Sequence, residues 1–217
     1  MITGLALGGT TPLQPPAAEQ APRGVVTRQQ ADDATLIEQS WHEPEAFAGL
    51  YDRHAAHIHR YVTRRLGSQV ADDVVGETFL SAFRRRRRYD LSRPDAGPWL
   101  YGIAANLIGK HRRAEVRLLR ALARTGADPV AESYADRVDA RVSAAAAQRD
   151  LARALASLAA GDREVLLLIA WAELAYDEVA AALRIPVGTV RSRLHRARRK
   201  VREALGGEDP TTISEEP

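Results

Sequence analysis

The chain of 217 residues carries 31 Lys and Arg against 28 Asp and Glu, a net charge of +3, with 45% hydrophobic residues, 6% aromatic residues and no cysteine. That length holds one large domain or two small ones. Runs rich in Ala, Leu, Val and Arg favour helices over strands, and the lack of cysteine excludes a disulfide framework and a thiolate metal site. No basic residue precedes Arg23, so Leu5 to Leu7 lack the positive flank of a signal peptide, and the longest apolar run, Val165 to Ala172, is too short to span a bilayer. The expectation is a cytoplasmic protein without membrane insertion.

Charge is unevenly spread. Arg184 to Arg202 holds eight Arg or Lys residues and no acid, and Arg84 to Arg113 holds nine basic residues against Asp90 and Asp95. The first 46 residues and the last twelve are net acidic. Two basic islands in an otherwise balanced chain point to two polyanion contacts.

Along the chain, residues 1–42 are rich in Pro, Gly, Ala, Gln and Thr without hydrophobic periodicity, and are expected to form a disordered extension. Residues 43–113 carry three helical stripes. Phe47, Leu50, Tyr51, His54, Ile58, Tyr61, Val62 and Leu66 form the first, closed by Gly67. Ala71, Val74, Val75, Thr78, Phe79, Ala82 and Phe83 form the second, with Asp72, Asp73 and Glu77 off the stripe. Tyr89 to Pro98, with two prolines and a glycine, reads as a loop, and a third helix from Trp99 to Arg113 turns Leu100, Ile103, Ala104, Leu107 and Ile108 inward. Residues 114–148 read as a flexible linker with some helical content, because Gly126 and Pro129 break the pattern. Residues 149–205 hold four short helices, and 206–217 form an acidic tail. The expected fold is all-α: a three-helix and a four-helix domain on a flexible joint.

The last helix carries the sharpest pattern. Val187, Val190, Leu194, Ala197, Val201 and Leu205 share one narrow face. Ser192, His195, Arg196 and Arg199 lie opposite, flanked by Arg191 and Arg193. A short helix precedes it across Arg184-Ile185-Pro186, and Pro186 preorganises the new helix where its missing N–H costs nothing. A helix, a tight turn and a basic amphipathic helix suit a major groove. Arg191 and Arg196 can offer paired donors to guanine, Ser192 and His195 can reach bases or phosphates, and Arg193, Arg199 and Lys200 suit phosphates.

This segment, Leu183-Arg-Ile-Pro-Val-Gly-Thr-Val-Arg-Ser-Arg-Leu-His-Arg-Ala-Arg-Arg199, closely resembles the promoter-reading helix of extracytoplasmic-function sigma factors, small bacterial subunits that direct RNA polymerase to promoters. Asp162-Arg-Glu-Val-Leu-Leu-Leu168 and Tyr176-Asp-Glu-Val-Ala180 resemble the helices before it. Asp72-Asp-Val-Val-Gly-Glu-Thr-Phe-Leu80 resembles the family's core-binding helix, and Trp99-Leu-Tyr-Gly-Ile-Ala-Ala-Asn-Leu107 with His111-Arg-Arg113 its promoter-melting helix. The resemblance implies a region 2-like domain over 43–113 and a region 4-like domain over 149–205. It assigns minus-thirty-five contacts to Arg191, Ser192, His195 and Arg196, with Arg199 beside them on the wheel. Core polymerase contacts fall to Asp72, Asp73 and Glu77. The minus-ten strand falls to the loop and the helix after it, where Tyr89, Trp99, Tyr101, Asn106, Lys110, Arg112 and Arg113 supply rings and polar groups. Core RNA polymerase and promoter DNA are the implied partners, and the family admits an anti-sigma protein. Departures are Gly76, Ala105 and Lys110 where the family has Gln, Arg and Asp, and Ala175 where it has a Ser N-cap.

No catalytic residue, metal site or cofactor is expected. His54, His57 and His59 are poorly spaced for a metal, and the acidic residues lack a nucleophile, a partner histidine and a phosphate loop. A stand-alone helix-turn-helix regulator is the alternative, and an adaptor holding polymerase without reading DNA is a third reading.

Overall fold

The computed structural model describes residues 31–125 and 138–206. Every regular element among them is helical: α1 (Asp33–Gln39), α2 (Ala48–Leu66), α3 (Ser68–Arg85), α4 (Gly97–Lys110), α5 (Arg112–Thr125), α6 (Val138–Ser157), α7 (Ala160–Ala172), α8 (Tyr176–Leu183) and α9 (Val187–Ala204). Short 3-10 turns occupy Pro44–Phe47 and Arg86–Arg88. None of these helices is long and apolar enough to cross a membrane. The reading of 1–30 as disordered, the polar stretch 126–137 and the tail 207–217 lie outside the described residues.

The three stripes of the first domain become α2, α3 and α4. Gly67 ends α2 with φ at +86°, a conformation that disfavours a side chain. Leu50, Ile58, Val62, Ala71, Leu100 and Ile108 form the centre of this lobe. The second lobe closes on Leu155, Val165, Leu168, Val179, Val190 and Leu194, from α6 to α9.

Two expectations need correction. The first is the extension over 1–42: its last part is α1, which buries Leu36 and Ile37 against the first lobe. Asp32 caps it by accepting a 2.8 Å hydrogen bond from the Thr35 amide. The aperiodic composition hid it, since seven residues make too little of a stripe to stand out. The second is the flexible linker over 114–148, of which α5 and the start of α6 take much. These two helices pack against each other, and Glu115 and Leu119 of α5 are buried.

Glu115 stands in a charge network that joins the lobes. Arg65 of α2 donates through Nε to one oxygen of Glu115, and Arg163 of α7 donates to the other at 3.0 Å. Arg65 also reaches both oxygens of Glu164 at 2.8 and 2.9 Å and the Tyr61 hydroxyl at 2.6 Å. The Tyr61 hydroxyl donates to Glu164 at 3.0 Å. Arg163 caps the carbonyls of Leu155 and Leu158, both at 3.2 Å. Two guanidinium groups meet two carboxylates with Arg65, Glu115 and Arg163 nearly inaccessible to water. Arg65 stays firmly charged and burial pushes the Tyr61 hydroxyl up, so Tyr61 remains a donor. Elsewhere along the seam, Arg64 lies over the Trp171 ring at 5.8 Å, and α4 meets α8 backbone to backbone. A Cβ on Gly102 would come within 2.5 Å of the Ala182 carbonyl oxygen.

Two outcomes test this architecture. Removing one member of a buried charge network strands its partners, so Glu115→Ala is expected to lose about 3–5 kcal/mol, read as a lower urea midpoint. The second concerns Asp33, 5% exposed in the first turn of α1. Burial pushes its carboxyl up, but hydrogen bonds from His54, the Ala96 amide and Arg53 outweigh burial and hold it at about 2, against an ordinary 3.8. A carboxyl lowered on folding stabilises fully above its unfolded value, and that stability is lost as pH falls toward the folded one. Asp33→Asn should therefore be less stable than the parent by about 2 kcal/mol at pH 6, with the gap closing between about pH 4 and 2.

Candidate nucleic-acid interface

The recognition geometry of the second lobe is set at the α8–α9 turn. Arg184 closes α8 in the left-handed conformation, φ +55°, and the Ile185 amide returns to the Ala180 carbonyl at 3.0 Å. Pro186 precedes α9 in extended conformation, and the Thr189 amide bonds its carbonyl at 2.8 Å. Ala175 offers no side-chain acceptor at the start of α8. Only the return half of a capping box is made, with the Glu178 carboxylate accepting from the Ala175 amide at 2.7 Å.

Val190, Leu194, Ala197 and Val201 of α9 are buried as the wheel requires, and Arg191, Ser192, His195, Arg196 and Arg199 are exposed. They are not equivalent. Arg196 is held by Asp162 in the first turn of α7, with Nε at 3.1 Å and Nη2 at 2.8 Å from the carboxylate. The Arg193 guanidinium covers Gly161, so closely that a Cβ there would meet it at 2.9 Å. Ser192 donates to the Thr189 carbonyl at 3.0 Å, and Arg199 faces Glu203 at 3.6 Å. On the other flank, Arg191, His195 and Arg198 line a shallow groove with Tyr176. The sequence pattern does not single out Arg198 or Tyr176. The spacing of Arg198, seven residues after Arg191 and three after His195, was the available signal.

In the first lobe, the residues expected at the minus-ten strand fall into different settings. Tyr89 is buried, with its hydroxyl 2.8 Å from the Arg93 carbonyl and 3.0 Å from that of Asp95, so it braces the loop from inside and burial pushes its hydroxyl up. Its face lies against half-buried Trp99, ring centroids 4.9 Å apart. Tyr101 packs edge-on against Tyr61 at 5.3 Å. Asn106 is exposed and donates to the Gly102 carbonyl at 2.9 Å, and Lys110, Arg112 and Arg113 are exposed beyond it.

The run Arg84–Arg88, read before only as charge, divides in two. Arg86 lies 3.8 Å over the Phe83 ring and bonds the Ser40 carbonyl at 3.2 Å, and Arg87 reaches the Trp41 carbonyl at 3.3 Å. Arg85 and Arg88 instead line a cleft of about 290 Å³ with Trp99 and Asn106, closed on its far side by Ala182 and Arg184 of the second lobe. The first-lobe wall of this cleft, with an aromatic ring and guanidinium groups beside Asp90 and Asp95, suits a single strand.

Asp72, Asp73 and Glu77 stand exposed on α3. Leu80 and Tyr51 are large apolar side chains left 42% and 49% exposed nearby, Tyr51 packing edge-on against Phe79. His59 lies 3.1 Å from Asp72. Carboxylates around exposed apolar side chains suit a protein-binding surface. The acids are legible in the sequence, whereas Tyr51, on the apolar stripe of α2, is left 49% exposed.

Residues 50–126 match the family model for sigma-70 region 2, and 148–201 match that for sigma-70 region 4. The chain is 36% identical over 166 residues to the ECF RNA polymerase sigma factor SigL of Mycobacterium tuberculosis, covering 75% of this chain and 90% of the relative. It is 32% identical over 171 residues to the RNA polymerase sigma factor CarQ of Myxococcus xanthus, with coverage of 75% and 90%. Among solved structures, CnrH in complex with the cytosolic domain of CnrY is similar, with a TM-score of 0.57, 27% identity and coverage of 81% of this chain and 98% of that one.

The incomplete cap on α8 generates a prediction. Ala175→Ser supplies the missing acceptor, so α8 should gain about 1 kcal/mol, seen as a rise in Tm of roughly 2–4 °C.

Proposed function

This chain belongs to the extracytoplasmic-function class of RNA polymerase sigma factors, and from that premise we propose how its surfaces divide the work of initiation. As a sigma factor it binds core RNA polymerase and directs it to promoters. The polymerase supplies the chemistry, so no catalytic group is assigned to this chain, and its place of work is the cytoplasm, where polymerase and template meet.

The observation that carries the reading is the pairing of two separate basic surfaces, one on α9 and one along the loop and α4, with an acidic and apolar surface on α3. Arg191, His195 and Arg198 read the minus-thirty-five element. Arg196, aimed by Asp162, adds a positioned donor, and Ser192 and Arg199 serve the phosphates. Trp99 offers a ring to the melted minus-ten strand, and Asn106, Lys110, Arg112 and Arg113 hold it with Arg85 and Arg88. Tyr89 and Tyr101 support from beneath. Asp72, Asp73 and Glu77, with Leu80 and Tyr51, meet the polymerase. The domain reading carries over as 43–113 for the first reader, now with α1 and α5 packed against it, and 149–205 for the second.

The names of the two elements place them about 25 base pairs apart, about 85 Å at 3.4 Å per base pair. Backbones in contact at Gly102 and Ala182 cannot span that distance, so the seam opens when the factor engages polymerase and promoter. An anti-sigma protein, which the family admits, would act by covering these faces.

The test adds the full chain to core polymerase with promoter-library DNA and sequences the run-off transcripts. A bipartite motif is expected, and Arg191→Ala should weaken its upstream half about tenfold to a hundredfold. Tight specific binding by the free chain without stimulation of core polymerase would instead mark a stand-alone regulator.

A further inference from the structure

The loop Tyr89–Gly97 is held from outside by a residue that no function has claimed. Asp33 begins α1, and its carboxylate accepts a 3.0 Å hydrogen bond from the Ala96 amide, at the last turn of the loop before α4. Its own amide donates to the Pro94 carbonyl at 3.0 Å. The same carboxylate meets Arg53 at 2.8 Å and His54 at 2.6 Å, both on α2, and Arg53 returns to the Ala31 carbonyl at 2.6 Å. Arg86 and Arg87 fasten the far end of α1 to the near end of the loop, through the Ser40 and Trp41 carbonyls. Inside the loop, Tyr89 gathers the carbonyls of Arg93 and Asp95, and Asp95 accepts from the Gly97 amide at 2.7 Å. The loop backbone is thus tied at its far end to the first residue of α1, and the turn before the loop is fastened to the carbonyls just past that helix.

Stability alone does not account for this arrangement. Leu36 and Ile37, essentially inaccessible, already seat α1 on the lobe, so the carboxylate is not needed to dock the helix. What the carboxylate adds is a fixed position for Pro94 and Ala96 relative to α2. A metal does not explain the cluster either. Asp33, His54 and Asp95 bring ligand atoms within 4.8 Å of one another, but the Arg53 guanidinium already supplies the positive charge at Asp33.

We propose that Asp33 is a positioning residue for base selection at the minus-ten element, acting through the Pro94 and Ala96 backbone to hold the reading loop in one shape. This rests on the assignment of the loop to the minus-ten strand. Without the tie the loop samples several shapes, each with different contacts to an unpaired base, and discrimination falls while the other contacts to polymerase and DNA stay in place.

The test uses the full chain with core polymerase and templates that hold the upstream element constant and randomise the downstream one. The parent is compared with Asp33→Ala, with Asp33→Asn, which keeps an acceptor for the Ala96 amide, and with Leu155→Ala, which weakens the second lobe far from the loop. Helicity and core polymerase affinity are measured for each. Asp33→Ala is expected to flatten the preference at the downstream element about fivefold, the worth of one hydrogen bond. Its polymerase affinity and upstream preference should stay at the parent's level, Asp33→Asn should keep part of the preference, and Leu155→Ala should keep all of it. If Asp33→Ala does not fold, Asp33→Asn decides by the same measurement. A full downstream preference in the Asp33 variants, or an equal flattening in Leu155→Ala, overturns the inference. A parent with no downstream preference at all overturns the minus-ten assignment itself, and the inference with it.

Discussion

Two arginines and two glutamates at the centre of the molecule bind its two halves into one body. Arg65 comes from α2, Glu115 from α5, and Arg163 and Glu164 from α7. Burying such charges costs several kcal/mol each, recovered only if every one is paired in good geometry. Formal charge balances in the group, and Tyr61 joins it as donor to one member and acceptor from another. An apolar seam would hold in many registers, whereas a charge network of this kind holds in one. Glu115 is the hinge of the arrangement because each of its oxygens answers an arginine from a different lobe.

The same logic sorts the basic residues elsewhere. Arg53, Arg86, Arg163 and Arg196 are engaged by carboxylates, carbonyls or a ring, and they hold the fold around them. Arg85, Arg88, Arg191 and Arg198 line concave faces and are free to meet an external anion. On the proposed reading a polyanion would meet guanidinium groups beside others already anchored to the fold, which lowers the ordering cost of binding.

What was legible in the sequence was local. The buried face of α9, the Gly67 stop, the Pro186 start and the acids of α3 each rest on spacing within a few turns, and the folded chain keeps that spacing. Contacts between distant positions left no such trace. Arg65 and Glu115 are fifty residues apart, and Asp162 and Arg196 are thirty-four. Each reads alone as a solvated surface charge. Tyr89 misled for the opposite reason: an aromatic residue at the head of a loop suggests an exposed ring, and only the turn at Arg93–Asp95 reveals two carbonyls that need its hydroxyl. The helix α1 was missed because its anchors, Leu36 and Ile37, sit in a stretch of otherwise unpatterned composition.

The close approach at Gly102 has a thermodynamic consequence. The side of α4 on which α8 rests also borders the cleft of Trp99 and Asn106, so a strand settling across Gly102 and α8 would be rival occupants of one surface. Linkage makes the rivalry symmetric. Every increment of free energy that seats α8 is subtracted from the apparent affinity for the strand, and every increment gained from the strand is subtracted from the seat. A substitution that tightens the seat of α8 would therefore weaken the apparent affinity for the strand by the same factor, and the packing at Gly102 is where such a substitution acts.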